Sequence, residues 1–302
     1  MTAALEVLWQ VLAPIFLLAG AGYLLARRLG LRPQGLARVS FYIFSPSLLF
    51  DKFSHSTLSA DQLGRLALFA LLTILCSGLL AWAVARLLRF ERVMAAAFVL
   101  CAIAGNTGNY GLPVNQFAFG EAALEPAVIY YAVSTLILAT LGIYVAASGR
   151  RTARQALRNV LSVPLAYAGL AGLALWATGL HAPLPIERFA ALAGQAAIPV
   201  MLIILGMQLA DVQWRDHLAP VGLATAIKLL GGPLLGIVFA GLLGLSGVTR
   251  QAAIVEASVP TAVMAIVLAT EYDTAPRFTA SVVMATTLAS LVTMTLLLTF
   301  LR

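Results

Sequence analysis

Long apolar segments, separated by short charged or Gly/Pro-containing stretches, run along almost the whole chain. A helix needs about 20 mostly apolar residues to cross a hydrocarbon core of about 30 Å. Runs such as LALFALLTILCSGLLAWAVA are apolar on every side, whereas the strands of a membrane barrel alternate apolar and polar residues, so the pattern predicts helices. Division at charge clusters and helix breakers predicts ten spans, at residues 5–25, 36–50, 63–84, 93–119, 126–147, 160–180, 189–210, 218–243, 249–270 and 278–301.

Composition supports this assignment. Of the 302 residues, 61% are hydrophobic and 10% are charged, and the mean hydropathy is +0.96, which excludes a soluble domain. The two cysteines, Cys76 and Cys101, both fall inside spans, so they are interpreted as small apolar core residues and not as a disulfide or a metal site. The sequence therefore predicts an all-α integral membrane protein without a metal.

The basic residues predict the orientation. With the N-terminus outside, thirteen Lys and Arg residues fall on the cytoplasmic side and five outside, while Lys228 lies within a span. Both termini are therefore predicted to lie outside. The net charge of +7 is explained by topology and contact with the lipid bilayer, and nucleic-acid binding is not expected.

A basic loop at residues 150–159 divides the chain into two five-span halves, residues 1–149 and 160–302. Because the number of spans in each half is odd, the second half is inverted. SPSLLF around Pro46 is placed in correspondence with IPVMLI around Pro199, and GLPV around Pro113 with SVPT around Pro260. Paired Gly/Pro interruptions at corresponding places indicate a secondary transporter with inverted repeats.

The fourth span carries GNTGNYGLPVNQFAFG at its centre, which is unusually polar for a membrane helix. Pro113 here and Pro260 in the ninth span lack an N–H, so both helices are expected to break just before their prolines. Unpaired backbone is tolerated at membrane depth only where protein or a water-filled cavity satisfies it, so the breaks predict a site. Gly105, Gly108 and Gly111 permit close backbone approach there.

The breaks favour an anionic ligand. Past each break a half-helix begins, and its free N–H groups and positive dipole end would point toward one cavity, as in helix-terminus anion sites. Asn106 and Asn109 either complete the hydrogen bonds of a carboxylate, or only cap helix ends or bridge to a neighbouring helix. The predicted substrate-binding residues are Asn106, Thr107, Gly108, Asn109, Gly111, Pro113, Ser258, Pro260 and Thr261.

Two ionisable residues lie within apolar segments of the second half. Burial of a lone charge is costly, so Lys228 and Glu256 are expected to pair with each other, to line a cavity, or to be neutralised. In the functional interpretation, Lys228 compensates charge near the crossover and Glu256 carries a coupling proton. In the structural interpretation, they form an ion pair or Lys228 snorkels to the surface.

The elements GNTGNYGLPVNQFAFG, KLLGGPLLG and EASVPTAVMAIVLATEYDTAPRF together resemble the bacterial branch of the auxin efflux carrier family. The resemblance implies a fold similar to bile-acid/sodium symporters, with ten helices in two inverted five-helix repeats and with the fourth and ninth helices broken and crossing. It also implies a scaffold of spans 1, 2, 6 and 7, a transport core of spans 3, 4, 5, 8, 9 and 10, a homodimer, and a bacterial inner membrane location.

The function predicted from these features is transport of a small organic anion by alternating access. No cofactor is expected, and either sodium or a proton could be the coupling ion. An enzyme is not expected, because His55, His181 and His217 lie in loops or at span ends and no nucleophile–base pair or metal-ligand motif is present. A sodium-coupled symporter of the bile-acid type is the main alternative. A cation/proton antiporter would be expected to carry Asp or Glu in the break, where this chain has Asn, Thr and Ser.

Overall fold

The computed structural model describes residues 3–147, 163–210 and 218–302, and within these ranges the chain is helical with no β-strand. Six helices are long and apolar enough to cross a membrane. This confirms an all-helical membrane protein. The predicted loop at residues 150–159 and His217 lie outside the described ranges.

Helices occupy the predicted spans, and two spans are interrupted. In chain order they are α1 Ala3–Leu29, α2 at residues 33–54, α3 Ala60–Leu87, α4a Arg92–Ile103, α4b at residues 107–119, α5 Glu121–Ala146, α6 Pro164–Thr178, α7 Leu184–Ala210, α8 Leu218–Leu242, α9a Gly247–Ala257, α9b Met264–Glu271 and α10 Pro276–Leu301.

Several helices contain one wide π-helical turn, and a proline usually follows it. The turns Leu8–Leu12, Ser40–Phe44, Thr107–Gly111 and Ile227–Gly231 each end two residues before a proline, at Pro14, Pro46, Pro113 and Pro233. A proline ring clashes with the carbonyl four residues earlier and leaves it without an N–H partner. Widening the preceding turn relieves that conflict, so these helices continue through their prolines.

Helix α7 packs on α1 and on α2, and α6 packs on α2. At the α1–α7 contact the backbones nearly touch, because a Cβ added at Gly206 would overlap the carbonyl oxygen of Ala19, and one added at Gly22 would overlap that of Ile203. Gly172 of α6 similarly lies against α2, with Phe53 and the backbone of Ser54 within 3.2 Å of an added Cβ. Small residues at membrane helix contacts allow this close approach, so glycine is required there.

The remaining helices surround the two interrupted ones. α3 packs on α4a, α5 and α8, and α8 packs on α9a, where a side chain at Gly232 would overlap the carbonyl oxygen of Ala257. Tyr110 of α4b is fully buried and its hydroxyl accepts a hydrogen bond from Ser290 of α10 at 3.0 Å. These contacts hold α4b and α9a in the interior, where their interruptions meet.

Candidate functional site at the crossover of the interrupted helices

The two interruptions bond to each other through their backbones. The N–H of Asn106 donates to the carbonyl oxygen of Pro260 at 2.8 Å, and the N–H of Ala262 donates to that of Ala104 at 2.8 Å. These reciprocal bonds form an isolated antiparallel bridge centred on Gly105 and Thr261. The crossing segments therefore satisfy polar backbone groups that apolar surroundings would leave unpaired.

The two prolines differ in position. Pro260 lies in the interruption between α9a and α9b, as predicted. The prediction for Pro113 is wrong, because α4 is interrupted at residues 104–106 and Pro113 lies inside the continuous half-helix α4b. The π-helical turn Thr107–Gly111 accommodates Pro113. Pro260 bonds at the bridge and Pro113 does not, so the two prolines do not occupy equivalent places.

A cavity of about 810 Å³ lies at the crossover. It opens where α2 and α10 begin and α7 ends, since Gln34, Arg277 and Gln208 line it. This is the side predicted to face the cytoplasm. The crossover residues that line the cavity are Gly105, Asn106, Thr107, Gly108, Asn109, Ala262, Val263 and Met264.

The cavity lining carries positive charge only. Among its described lining residues Arg38 of α2 and Arg277 of α10 are the charged ones, and both are exposed. Neither forms an ion pair within the described part of the chain. Arginines facing a cleft attract anions and concentrate them there. Sequence reasoning assigned both residues to topology alone, and their joint position appears only when α2 and α10 are packed.

Asn106 is the buried donor nearest the start of α4b. Its side chain is 5% exposed, and its Nδ2 has no hydrogen-bond partner among the described residues. It makes no side-chain capping bond to the helix, so the capping interpretation does not hold for this residue. The first N–H groups of α4b, at Thr107 to Asn109, lack intrahelical partners by the geometry of a helix start. This end of the cavity thus presents hydrogen-bond donors.

The predicted hydroxyl groups already have partners. The Thr107 hydroxyl lies 2.8 Å from that of Ser134, the Ser258 hydroxyl donates to the Ile254 carbonyl at 2.6 Å, and that of Thr261 donates to the Cys101 carbonyl at 3.0 Å. Thr107 lines the cavity, whereas five other predicted residues are buried without lining it. These are Gly111, Pro113, Ser258 and Pro260, together with Thr261. Their part in binding stays a prediction.

Lys228 lies at the crossover, within the π-helical turn Ile227–Gly231 of α8. Its side chain is buried, its Nζ donates to the carbonyl oxygen of Ala102 at 3.0 Å, and a Cβ added at Gly105 would lie 3.2 Å from Nζ. Ala102 belongs to the last turn of α4a, whose free carbonyl groups form the negative end of the helix dipole. The ammonium group therefore satisfies the end of α4a beside the interruption.

Glu256 has a different partner. Its Oε1 accepts a hydrogen bond from Nδ2 of Asn115 at 3.0 Å, and the residue is 1% exposed. No ion pair joins it to Lys228 in the described structure, so the expected mutual pairing is wrong. The physical reason is position, because Lys228 reaches the end of α4a while Glu256 faces α4b.

An apolar helical body with a polar, basic cavity at two interrupted helices is the architecture of a membrane transport protein. The family model of membrane transport proteins matches residues 7–156 and 148–298. The chain therefore belongs to this family, which is the auxin efflux carrier family that its motifs resemble.

Relatives agree with this assignment. The chain is 30% identical over 263 residues to an "Uncharacterized transporter" of Methanothermobacter thermautotrophicus, with 86% of each chain covered. It is 27% identical over 305 residues to a Rhizobium meliloti protein named "Putative malonate transporter", with 96% of this chain and 94% of that one covered. The family and these relatives are transporters and not enzymes, which confirms the expected absence of enzyme activity.

Proposed function

We propose that this protein is a secondary carrier that moves a small organic anion across the membrane by alternating access, with the anion bound at the crossover. The observation that carries the proposal is the unpaired, buried Nδ2 of Asn106 in a cavity whose charged lining residues, within the described chain, are Arg38 and Arg277. A carboxylate would accept from this amide and from the N–H groups that begin α4b. The name of the Rhizobium meliloti relative makes malonate the first anion to test.

The proposed architecture is ten spans in two inverted five-helix repeats, at residues 1–149 and 160–302. The packing of α7 on α1 and α2, and of α6 on α2, supports a scaffold. The packing of α3, α5, α8 and α10 around the interrupted helices supports a separate transport core. In an elevator-like cycle the core would carry the crossover past this scaffold. A homodimer in a bacterial inner membrane, with both termini outside, completes the proposal.

The conformation corresponds to an inward-open state in this scheme. Opposite the cavity mouth, the backbone N–H and the hydroxyl of Thr57, which follows α2, donate to Glu125 of α5 at 3.1 and 3.0 Å. Ser56 donates to the same carboxylate. These bonds join the proposed scaffold to the proposed core on one side while the cavity opens on the other, as alternating access requires.

The test is a thermal-shift screen of the purified protein with malonate, other carboxylates and matched amines, at two pH values, with sodium or choline. A ligand that binds the folded state raises the melting temperature in a concentration-dependent way. Stabilisation by a carboxylate and not by its amine analogue supports the proposal. Stabilisation by cations alone, or by no carboxylate in the panel, would contradict it.

A sodium-coupled symporter is the alternative that the same screen separates. In this chain the Nζ of Lys228 occupies the carbonyl end of α4a at the crossover. A fixed ammonium there reduces the need for a sodium ion, so we expect carboxylate binding to persist in choline. If binding requires sodium, the bile-acid-type symporter replaces the proposal. The antiporter alternative is disfavoured because no Asp or Glu is among the described lining residues.

A further inference from the structure

The carboxyl group of Glu256 lies between the two interrupted helices, apart from the cavity lining. Glu256 belongs to α9a, and Asn115, which binds its Oε1, belongs to α4b. A Cβ added at Gly111 would overlap the carboxyl group, so α4b leaves room for it only because this position is glycine. The contact therefore joins the two helices whose rearrangement would accompany transport.

Two adjacent acceptor oxygens at this contact lack donors. Oε2 of Glu256 and Oδ1 of Asn115 are both buried and have no hydrogen-bond partner in the described part of the chain. The Nδ2 of Asn115 is already used, because it donates to Oε1 and to the Gly111 carbonyl at 3.1 Å. A carboxylate in this position would keep its negative charge in an apolar interior with a single neutral donor, which is strongly unfavourable.

No described neighbour supplies a compensating positive charge. From α4b the polar group that contacts Glu256 is the neutral amide of Asn115. From α5 the ionisable group within electrostatic reach is the phenol of Tyr130, whose hydroxyl is 3.0 Å from that of Thr73 on α3. From α8, Gly232 and Gly236 contact α9a, and the ammonium of Lys228 bonds to Ala102 instead.

We propose that Glu256 and Asn115 form a proton-binding site in which Glu256 is a neutral carboxylic acid. The proton comes from solvent, forms an O–H bond at the carboxyl group and returns to solvent when that bond breaks. Bound at Oε2, the proton makes that oxygen a donor to Oδ1 of Asn115, while Nδ2 of Asn115 donates to Oε1, so the acid and the amide exchange two hydrogen bonds. The site is built from a pair of residues on the two interrupted helices.

The position of this site couples it to the anion. This step rests on the proposed function. Gly111, which contacts Glu256, lies two residues beyond Asn109 on the same half-helix. A negative charge on Glu256 would oppose a second negative charge at the start of α4b, and protonation removes that opposition. By linkage, anion binding must then promote proton binding to the same extent, so proton and anion move in the same direction.

The proton site can be tested without any substrate, by infrared spectroscopy of the purified wild-type protein at pH 7. We expect the C=O stretching band of a buried carboxylic acid. The band should disappear in Glu256→Gln, which mimics the neutral acid, and persist in Glu271→Gln, an exposed carboxylate of α9b. Asn115→Ala tests the same assignment if Glu256→Gln does not fold, because loss of the amide partner should shift the band. Absence of the band in the wild type, or a band unaffected by both variants, would overturn the proposal.

The coupling is tested by titration calorimetry with malonate in two buffers of different ionisation enthalpy. The pH is set high enough for the infrared band of the wild type to have weakened, because only an ionised Glu256 can take up a proton when the anion binds. The wild type and Glu271→Gln should take up protons on binding, and Glu256→Gln should bind malonate without that additional uptake. Equal proton uptake by wild type and Glu256→Gln would refute the coupling. If no protein binds malonate or another carboxylate, the proposed function fails, while the infrared result still decides whether Glu256 holds a proton.

Discussion

The backbone N–H of Asn106 donates a hydrogen bond to the carbonyl oxygen of Pro260 at 2.8 Å, joining the interruption of α4 to that of α9. With its backbone held by the opposite segment, Asn106 starts α4b without using its side chain as a cap. The amide nitrogen of that side chain is left with no described partner at the cavity. A backbone contact thus positions the donor on which the proposed anion site depends.

Replacement of Asn106 or Asn109 by Ala should weaken malonate binding by about 1–3 kcal/mol, the effect of leaving a charged ligand short of one hydrogen bond. The free energy of unfolding should change little for Asn106→Ala, because its Nδ2 has no described protein partner. Calorimetry and thermal unfolding measure the two quantities. Thr135→Ala is the matched control, since Thr135 lines the cavity but its hydroxyl donates to Tyr131. If Asn106→Ala and Thr135→Ala lose the same malonate binding free energy, the Asn106 amide does not bind the anion directly.

The α1–α7 contact offers a prediction about stability. Gly206→Ala should destabilise the protein by more than about 2 kcal/mol, because the new methyl group would overlap the backbone of Ala19 and force two helices apart. Gly20→Ala, on the same α1 helix, meets no atom within 4 Å and should be neutral or slightly stabilising. Unfolding in detergent compares the two variants. A Gly206→Ala protein as stable as the wild type would show that α1 and α7 do not approach this closely.

The helices could be predicted from the sequence because segment length and apolarity decide whether a helix fits a bilayer. The interruption near Pro260 could be predicted as well. The one in α4 could not be placed from Pro113, because a π-helical turn accommodates that proline and the chain departs from the helix at residues 104–106. A proline indicates backbone stress, and the local turn decides whether the helix ends or widens.

The candidate site was predictable in part. Asn106 to Asn109 line the cavity, as their polarity within an apolar span suggested. The partners of Lys228 and Glu256 were not predictable, since they depend on which half-helix faces each side chain. Arg38 and Arg277 lie far apart in the sequence and reach one cavity only through the packing of α2 and α10.

Lys228 provides a prediction about the coupling ion. If its charge stabilises the end of α4a and the incoming anion, Lys228→Ala and Lys228→Met should both sharply reduce malonate uptake into proteoliposomes, although Met keeps the approximate length of the stem. Wild-type uptake should persist when choline replaces sodium. Normal transport by Lys228→Met would show that the charge is dispensable, and an absolute sodium requirement in the wild type would favour the bile-acid-type alternative.

Arg38 and Arg277 lead to a prediction about how the anion enters. Both are exposed at the cavity mouth and unpaired with any described carboxylate, so they should concentrate anions there and act chiefly on the association rate. The double variant Arg38→Gln/Arg277→Gln should slow malonate association by about tenfold at low ionic strength, and added salt should narrow the difference from the wild type.

Arg28→Gln removes an exposed basic residue on the same predicted side, outside the cavity lining, and should behave as the wild type. Stopped-flow measurements at two salt concentrations compare the three proteins. If Arg28→Gln slows association as much as the double variant, the effect comes from general surface charge, and the two arginines have no special part in admitting the anion.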